Sequence, residues 1–148
     1  MVYRFLLGLC GDPNLAEELT AETFYRAFLH IGRFRGNCKP ETWLCQIAKN
    51  ALRKELRRRK QNVSLETAAP LADSRDPLGA LLDRDQAIAL RKKAEKLPEP
   101  YREVFLLRAE GGLKFRQIAD VYGKTESWAK VTFYRAKDKL IKEMEDEP

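Results

Sequence analysis

The side chains able to do chemistry fall into two groups, and both suit binding. The first is a block of cations. Residues 33–60 hold ten Lys and Arg against two Asp and Glu, whereas residues 1–32 hold two against four. Residues 61–96 are balanced at six and six, and residues 97–148 at ten and ten, so the net charge of +6 arises from one block. A cation set beside a phosphate releases a counterion, which makes such a block a candidate polyanion site. Phe34 and Trp43 stand among the cations, and rings beside cations suit single-stranded nucleic acid, because bases stack on the rings. A solvated helix face accounts for Arg57-Arg58-Arg59-Lys60 equally well, and core packing accounts for the rings. The second group is Ser127, Lys130, Val131, Tyr134 and Arg135. At 100° per residue these share one half of a helix, a mixture of hydroxyl, cations and non-polar groups that fits a major-groove reader.

Catalysis has no comparable candidate. One histidine, His30, and three cysteines without a CxxC pair make neither a nucleophile–base set nor a zinc site. No glycine-rich phosphate loop follows a strand. No catalytic residue, metal or cofactor is expected.

The elements that must hold these groups are helices. Residues 2–10 form a short apolar helix ending at Gly11. Asp12 and Pro13 open a second helix as N-cap and first residue. It carries Leu15, Leu19, Phe24, Ala27, Phe28 and Ile31 and is expected to stop at Gly32. A loop, 33–40, precedes a third helix from about Glu41 to Lys60. Trp43, Leu44, Ile47, Ala48, Ala51 and Leu52 lie on one side of it at spacings of three and four. Gln46, Lys49, Asn50, Arg53 and Arg57 fall at about 240° to 340° from Trp43, an amide-and-cation stripe opposite the core. Pro70, Pro77 and Gly79 break any period in a stretch that reads as a linker, helical at most in its last part. After Leu97-Pro98 a helix carries Tyr101, Val104, Phe105 and Leu106 up to Gly111-Gly112. Ile118-Ala119, Gly123 and Thr125 then read as a helix-turn-helix whose second helix, 126–139, turns Ala129, Phe133, Ala136 and Leu140 inward. The fold class is all-α: two small helical domains, 1–60 and 97–148, joined by a flexible linker, 61–96. With no apolar run near 20 residues and no signal-peptide cleavage site, a reduced cytoplasmic location is expected, with no membrane insertion.

Two sets of motifs, in this order, resemble an extracytoplasmic-function (ECF) sigma factor of RNA polymerase. Leu15-Ala16-Glu17-Glu18-Leu19-Thr20-Ala21-Glu22-Thr23-Phe24, Phe34-Arg35-Gly36, Thr42-Trp43-Leu44-Cys45-Gln46-Ile47-Ala48-Lys49-Asn50 and the arginine run look like its first domain, region 2. Leu97-Pro98, Tyr101-Arg102-Glu103-Val104 and the helix-turn-helix ending Tyr134-Arg135-Ala136-Lys137 look like its second, region 4. Ala21 stands where the family commonly has glutamine, and Lys124 where it usually has a hydrophobic residue. The family normally begins some residues before Met1, which implies a shortened first helix. The resemblance implies binding to core RNA polymerase, on the β′ clamp through Glu18, Glu22 and Phe24, and on the β flap. It implies capture of a melted −10 base by the loop Gly36, Asn37, Cys38 and Lys39 with Asn50. Lys49, Arg53, Arg57 and Arg58 would face DNA near the melting point. The −35 duplex would be read by Arg108, Ser127, Lys130, Val131, Tyr134 and Arg135. It further implies promoter-specific transcription initiation and an anti-sigma factor as partner. A stand-alone helix-turn-helix regulator is the alternative, although it would leave the polarised first domain unexplained.

Overall fold

The computed structural model describes residues 1–62 and 84–146; the rest of the expected linker, 63–83, lies outside the described residues. Every element among the described residues is helical. Helix α1 (Val2–Cys10) ends at Gly11, whose φ of 68° lets its N–H turn back to Leu7 O at 2.8 Å. Glycine takes this left-handed cap without the Cβ clash that other residues meet. Helix α2 (Pro13–Leu29) starts as its sequence dictates: the Asp12 carboxylate accepts the Leu15 N–H at 3.1 Å, and Pro13 fills the first helical position. Its end differs from expectation. The helix stops at Leu29, and residues Ile31–Arg33 form a 3-10 turn that includes Gly32. The Arg33 and Phe34 N–H groups donate to His30 O and Ile31 O, three residues back, so the turn tightens with no left-handed glycine. The inward face of α2 is Leu15, Ala16, Leu19, Thr23 and Ala27, while Phe24, Phe28 and Ile31 lie exposed.

Helix α3 (Pro40–Asn62) buries Thr42, Cys45, Ala48, Ala51 and Leu52 against α1 and α2. Residues Arg84–Glu95, in the last part of the expected linker, form α4. Helices α5 (Tyr101–Ala109), α6 (Phe115–Tyr122) and α7 (Glu126–Asp146) follow. Gly123, at φ 64°, turns the chain between α6 and α7, and the Thr125 hydroxyl accepts the Trp128 N–H at 3.1 Å, so the helix-turn-helix is built as the sequence predicts. Helix α7 runs on to Asp146, past the expected 139, and keeps Leu140 buried.

One hydrophobic core spans the two units, where the sequence suggests a small one in each, and a second cluster of Ala94, Leu97, Phe105, Leu106, Ala136 and Leu140 lies within the second unit. Phe5, Leu6 and Leu9 of α1 join Leu15, Leu19 and Ala48 on one side and Val104, Leu107, Leu113 and Ile118 on the other. Two glycines permit the approach. A Cβ on Gly8 would lie 3.1 Å from Leu106 O and Leu107 Cα, and one on Gly111 only 2.7 Å from Arg4 O and Leu107 O. Arg91 of α4 closes the seam. It donates to Gly8 O at 3.4 Å and Leu9 O at 3.1 Å, carbonyls at the end of α1 that lack helical partners, and it pairs with Glu110.

Candidate nucleic-acid interface

Helix α3 presents the stripe that its period predicts. Gln46, Asn50, Arg53 and Arg57 are exposed, and Lys49 is half-buried. Arg53 and Arg57 pair with no described carboxylate, which leaves both guanidinium groups able to take phosphate. Arg58 is held instead by Glu55 at 2.6 Å, and Arg59 by the same carboxylate at 3.2 Å. The hydrogen bond from Arg58 is the main cause that lowers the Glu55 carboxyl to about 2, with Arg59 adding to it. Ahead of the stripe, Phe34 and Trp43 meet at 5.2 Å between ring centroids, and both rings stay partly open. The loop 36–39 turns on Gly36 at φ 73°, with Gly36, Asn37 and Lys39 exposed and Cys38 half-buried. Loop, ring pair and stripe therefore follow one another along α3 and the segment that leads into it.

The outward half of α7 is open as well. Ser127, Lys130, Val131, Tyr134 and Arg135 are all exposed, while Ala129, Thr132, Ala136 and Leu140 face the core. Lys130 has one neighbour, Glu126, at 3.6 Å, an exposed pair worth little in water. Arg108 is placed differently from these five. It is half-buried, donates to Leu113 O at 3.0 Å, and lies 4.4 Å from the Phe115 ring centroid, so it braces the loop between α5 and α6. On α2, Glu18 and Phe24 are exposed, and Glu22 is half-buried and paired with Arg26 at 2.7 Å.

Sequence reasoning missed a polar cluster between the units. Lys49 donates to Glu103 Oε2 at 2.9 Å, and the Tyr122 hydroxyl donates to the same oxygen. Lys49 Nζ also sits 5.4 Å from the Tyr122 ring centroid. Burial works to raise the Glu103 carboxyl, but the Tyr122 hydroxyl and the Lys49 ammonium outweigh it and hold the group below its ordinary range. Burial, then the charge of Glu103, push the Tyr122 hydroxyl up, which keeps it a neutral donor. Nearby, Lys39 pairs with Asp120 at 2.8 Å, and the Thr42 hydroxyl donates to Asp120 O at 3.1 Å. A depressed carboxyl stabilises the packed form above its ordinary pKa, and that contribution fades as pH falls through the lowered value.

Comparison with known proteins gives these surfaces a context. The Sigma-70 region 2 family model matches residues 1–62, and the Sigma-70 region 4 model matches residues 87–140. The ECF RNA polymerase sigma factor SigM of Bacillus subtilis is 30% identical over 148 aligned residues, covering 94% of this chain and 85% of SigM. The chain belongs to the ECF sigma factors. SigW of the same organism is 26% identical over 98% of this chain and 83% of its own length. In fold, this sigma factor resembles RpoE of Bartonella quintana, solved in complex with the anti-sigma factor NepR, at a TM-score of 0.59 and 20% identity, covering 99% of this chain and 91% of that one. A sigma factor works with core RNA polymerase and promoter DNA to direct transcription initiation. No helix among the described residues is long and apolar enough to cross a membrane.

Proposed function

We propose that α3 with its preceding loop captures melted −10 DNA and that the outward face of α7 reads the −35 duplex. The observation that carries this reading is that both faces stay open while the apolar halves of the same helices are buried. Arg53 and Arg57 hold phosphates, Phe34 and Trp43 offer rings to unpaired bases, and Asn50 and the loop 36–39 enclose one base. Lys49, Lys39 and Arg58 join them once released from their carboxylates. Ser127, Lys130, Val131, Tyr134 and Arg135 enter the major groove, and Arg108 supports them from behind through Phe115. The exposed face of α2 with Glu18, Glu22 and Phe24 docks on the β′ clamp, and the second unit meets the β flap. The chain acts by binding, in the cytoplasm where the polymerase works. The complex in which the Bartonella neighbour was solved supports an anti-sigma factor among its partners. The first domain is placed at 1–60 and the second at 97–148 with α4 ahead of it, a division supported by the matched regions 1–62 and 87–140.

Two substitutions test the two surfaces. Lys130→Ala should weaken binding to the preferred duplex by about 1 kcal/mol, since one point-charge contact falls at the low end for base readout, and should relax preference at one position. A loss equal across all sequences, with a shallower salt dependence, would mark a phosphate contact instead. No change in either measure rules this face out as the reader. Glu18→Lys with Glu22→Lys should lower affinity for core polymerase at least about tenfold, because cations replace the two carboxylates proposed to meet the clamp. Glu18 is exposed, and half-buried Glu22 makes only an i,i+4 pair with Arg26, so circular dichroism should be unaltered. Unchanged capture of core polymerase would remove this helix from the interface.

A further inference from the structure

Arg108 carries a charge suited to phosphate, yet the second unit engages it internally. It donates to Leu113 O at 3.0 Å, and its guanidinium carbon lies 4.4 Å from the centroid of the Phe115 ring. Phe115 is the first residue of α6 and is half-buried. Its ring meets two rings of α7, Phe133 edge-on at 5.6 Å and Tyr134 tilted at 6.3 Å. Phe133 in turn stacks on Phe105 of α5 at 5.5 Å, with 9° between the planes, and stands 5.4 Å from Tyr134. Aromatic contacts therefore run without a break from buried Phe105 through Phe133 and Phe115 to Tyr134. Of these four rings Tyr134 alone is exposed, at 54%.

We propose that Phe115, held by Arg108, is a positioning residue for promoter readout: it fixes the Tyr134 ring on the outward face of α7, where that ring meets a thymine methyl group in the major groove. The proposal rests on this face being the −35 reader. A solvent-facing tyrosine with no neighbouring ring samples several rotamers, and freezing such a side chain on binding weakens the complex about 2- to 12-fold. Phe115 and Phe133 set the order before DNA arrives. The chemistry suits thymine, whose methyl group takes apolar contacts, whereas Lys130 and Arg135 beside it suit guanine or phosphate. Phe115 has no polar side-chain atom, so its influence on base preference passes through Tyr134. Arg108 places its cation on the Phe115 ring and fastens the chain after α5 through Leu113 O, so it belongs to the same line of support and is not a phosphate ligand.

The test uses the full chain assembled with core polymerase and a promoter library randomised across the −35 element. Relative binding is read at each base pair and over a range of salt concentrations. Tyr134→Ala should flatten a preference for thymine at one position. Phe115→Leu should reduce the preference at that same position about 2- to 12-fold and leave the others as in wild type. Phe115→Tyr keeps the ring and should keep the wild-type pattern. Phe115→Leu combined with Tyr134→Ala should be no worse than Tyr134→Ala alone, since both act through one ring. Arg108→Met should weaken the same position with an unaltered salt slope. A slope shallower by about one, with equal loss for all sequences, would make Arg108 a phosphate ligand and overturn its assignment. A loss from Phe115→Leu spread over every position, or one that adds to Tyr134→Ala, marks a merely structural role and overturns the proposal. Where Phe115→Leu lowers the folded fraction by circular dichroism, Arg108→Met and Phe115→Tyr decide on the same readout. Tyr134→Ala without effect at any position would discard Tyr134 as a reader and the proposal with it. An effect of Tyr134→Ala that neither Phe115→Leu nor Arg108→Met reproduces would discard the positioning role alone.

Discussion

Phe5→Ala should destabilise the chain by about 3–5 kcal/mol, the range for removing a large aromatic from a packed core. Phe5 is fully buried, in the cluster that joins α1 to the helices of both units. The cluster that would lose it draws Leu19 from the first unit and Leu107 and Leu113 from the second, so the loss is felt by both units. A denaturant titration monitored by circular dichroism should show one transition moving to lower midpoint with little change in slope. Two separate transitions, of which only the first shifts, would contradict a shared core.

The second large effect concerns melting. Asn50 is exposed on the stripe, one turn beyond Gln46 and about 20° from Trp43 around the helix. Its amide has no packing role in α3, whose core face is Cys45, Ala48, Ala51 and Leu52. Asn50→Ala should leave core-polymerase binding and −35 duplex affinity intact. Loss of one or two buried hydrogen bonds to an extruded base should reduce open-complex formation by about 1–3 kcal/mol, roughly 5- to 150-fold. Permanganate footprinting of a supercoiled promoter at limiting protein reads this as fewer unpaired thymines. Wild-type reactivity would exclude Asn50 from base capture.

Local features of the fold were legible because their causes are local. Asp12-Pro13 starts α2, Gly11 and Gly123 supply left-handed turns, and the three-and-four spacing of Ala48, Ala51 and Leu52 orients α3. The outward set on α7 follows from the same geometry. Hydrophobicity misled on α2, where Phe24, Phe28 and Ile31 continue an apolar period that the fold leaves on the surface. The contacts between units were not legible. Lys39 and Asp120 are 81 residues apart, and Lys49 and Glu103 are 54 apart. No periodicity links positions so distant, and a charge count treats each as one more solvated ion. Gly8 and Gly111 mark that seam in the sequence, but a lone glycine in an apolar helix or a Gly-Gly pair reads just as well as a helix end or a turn. Arg108 shows the same limit: its type suits DNA, yet Leu113 O and the Phe115 ring hold it.

The most direct measurement is transcription in a purified system. Core RNA polymerase is mixed with a library of promoter fragments, with and without this chain, and the transcripts are sequenced. The expected result is a set of start sites that appear only with the chain, share elements near −35 and −10, and vanish when the α7 face is altered at Lys130 and Arg135 together. Transcripts unchanged by the chain, or DNA binding that never requires polymerase, would contradict its role as a sigma factor and leave it a stand-alone helix-turn-helix protein.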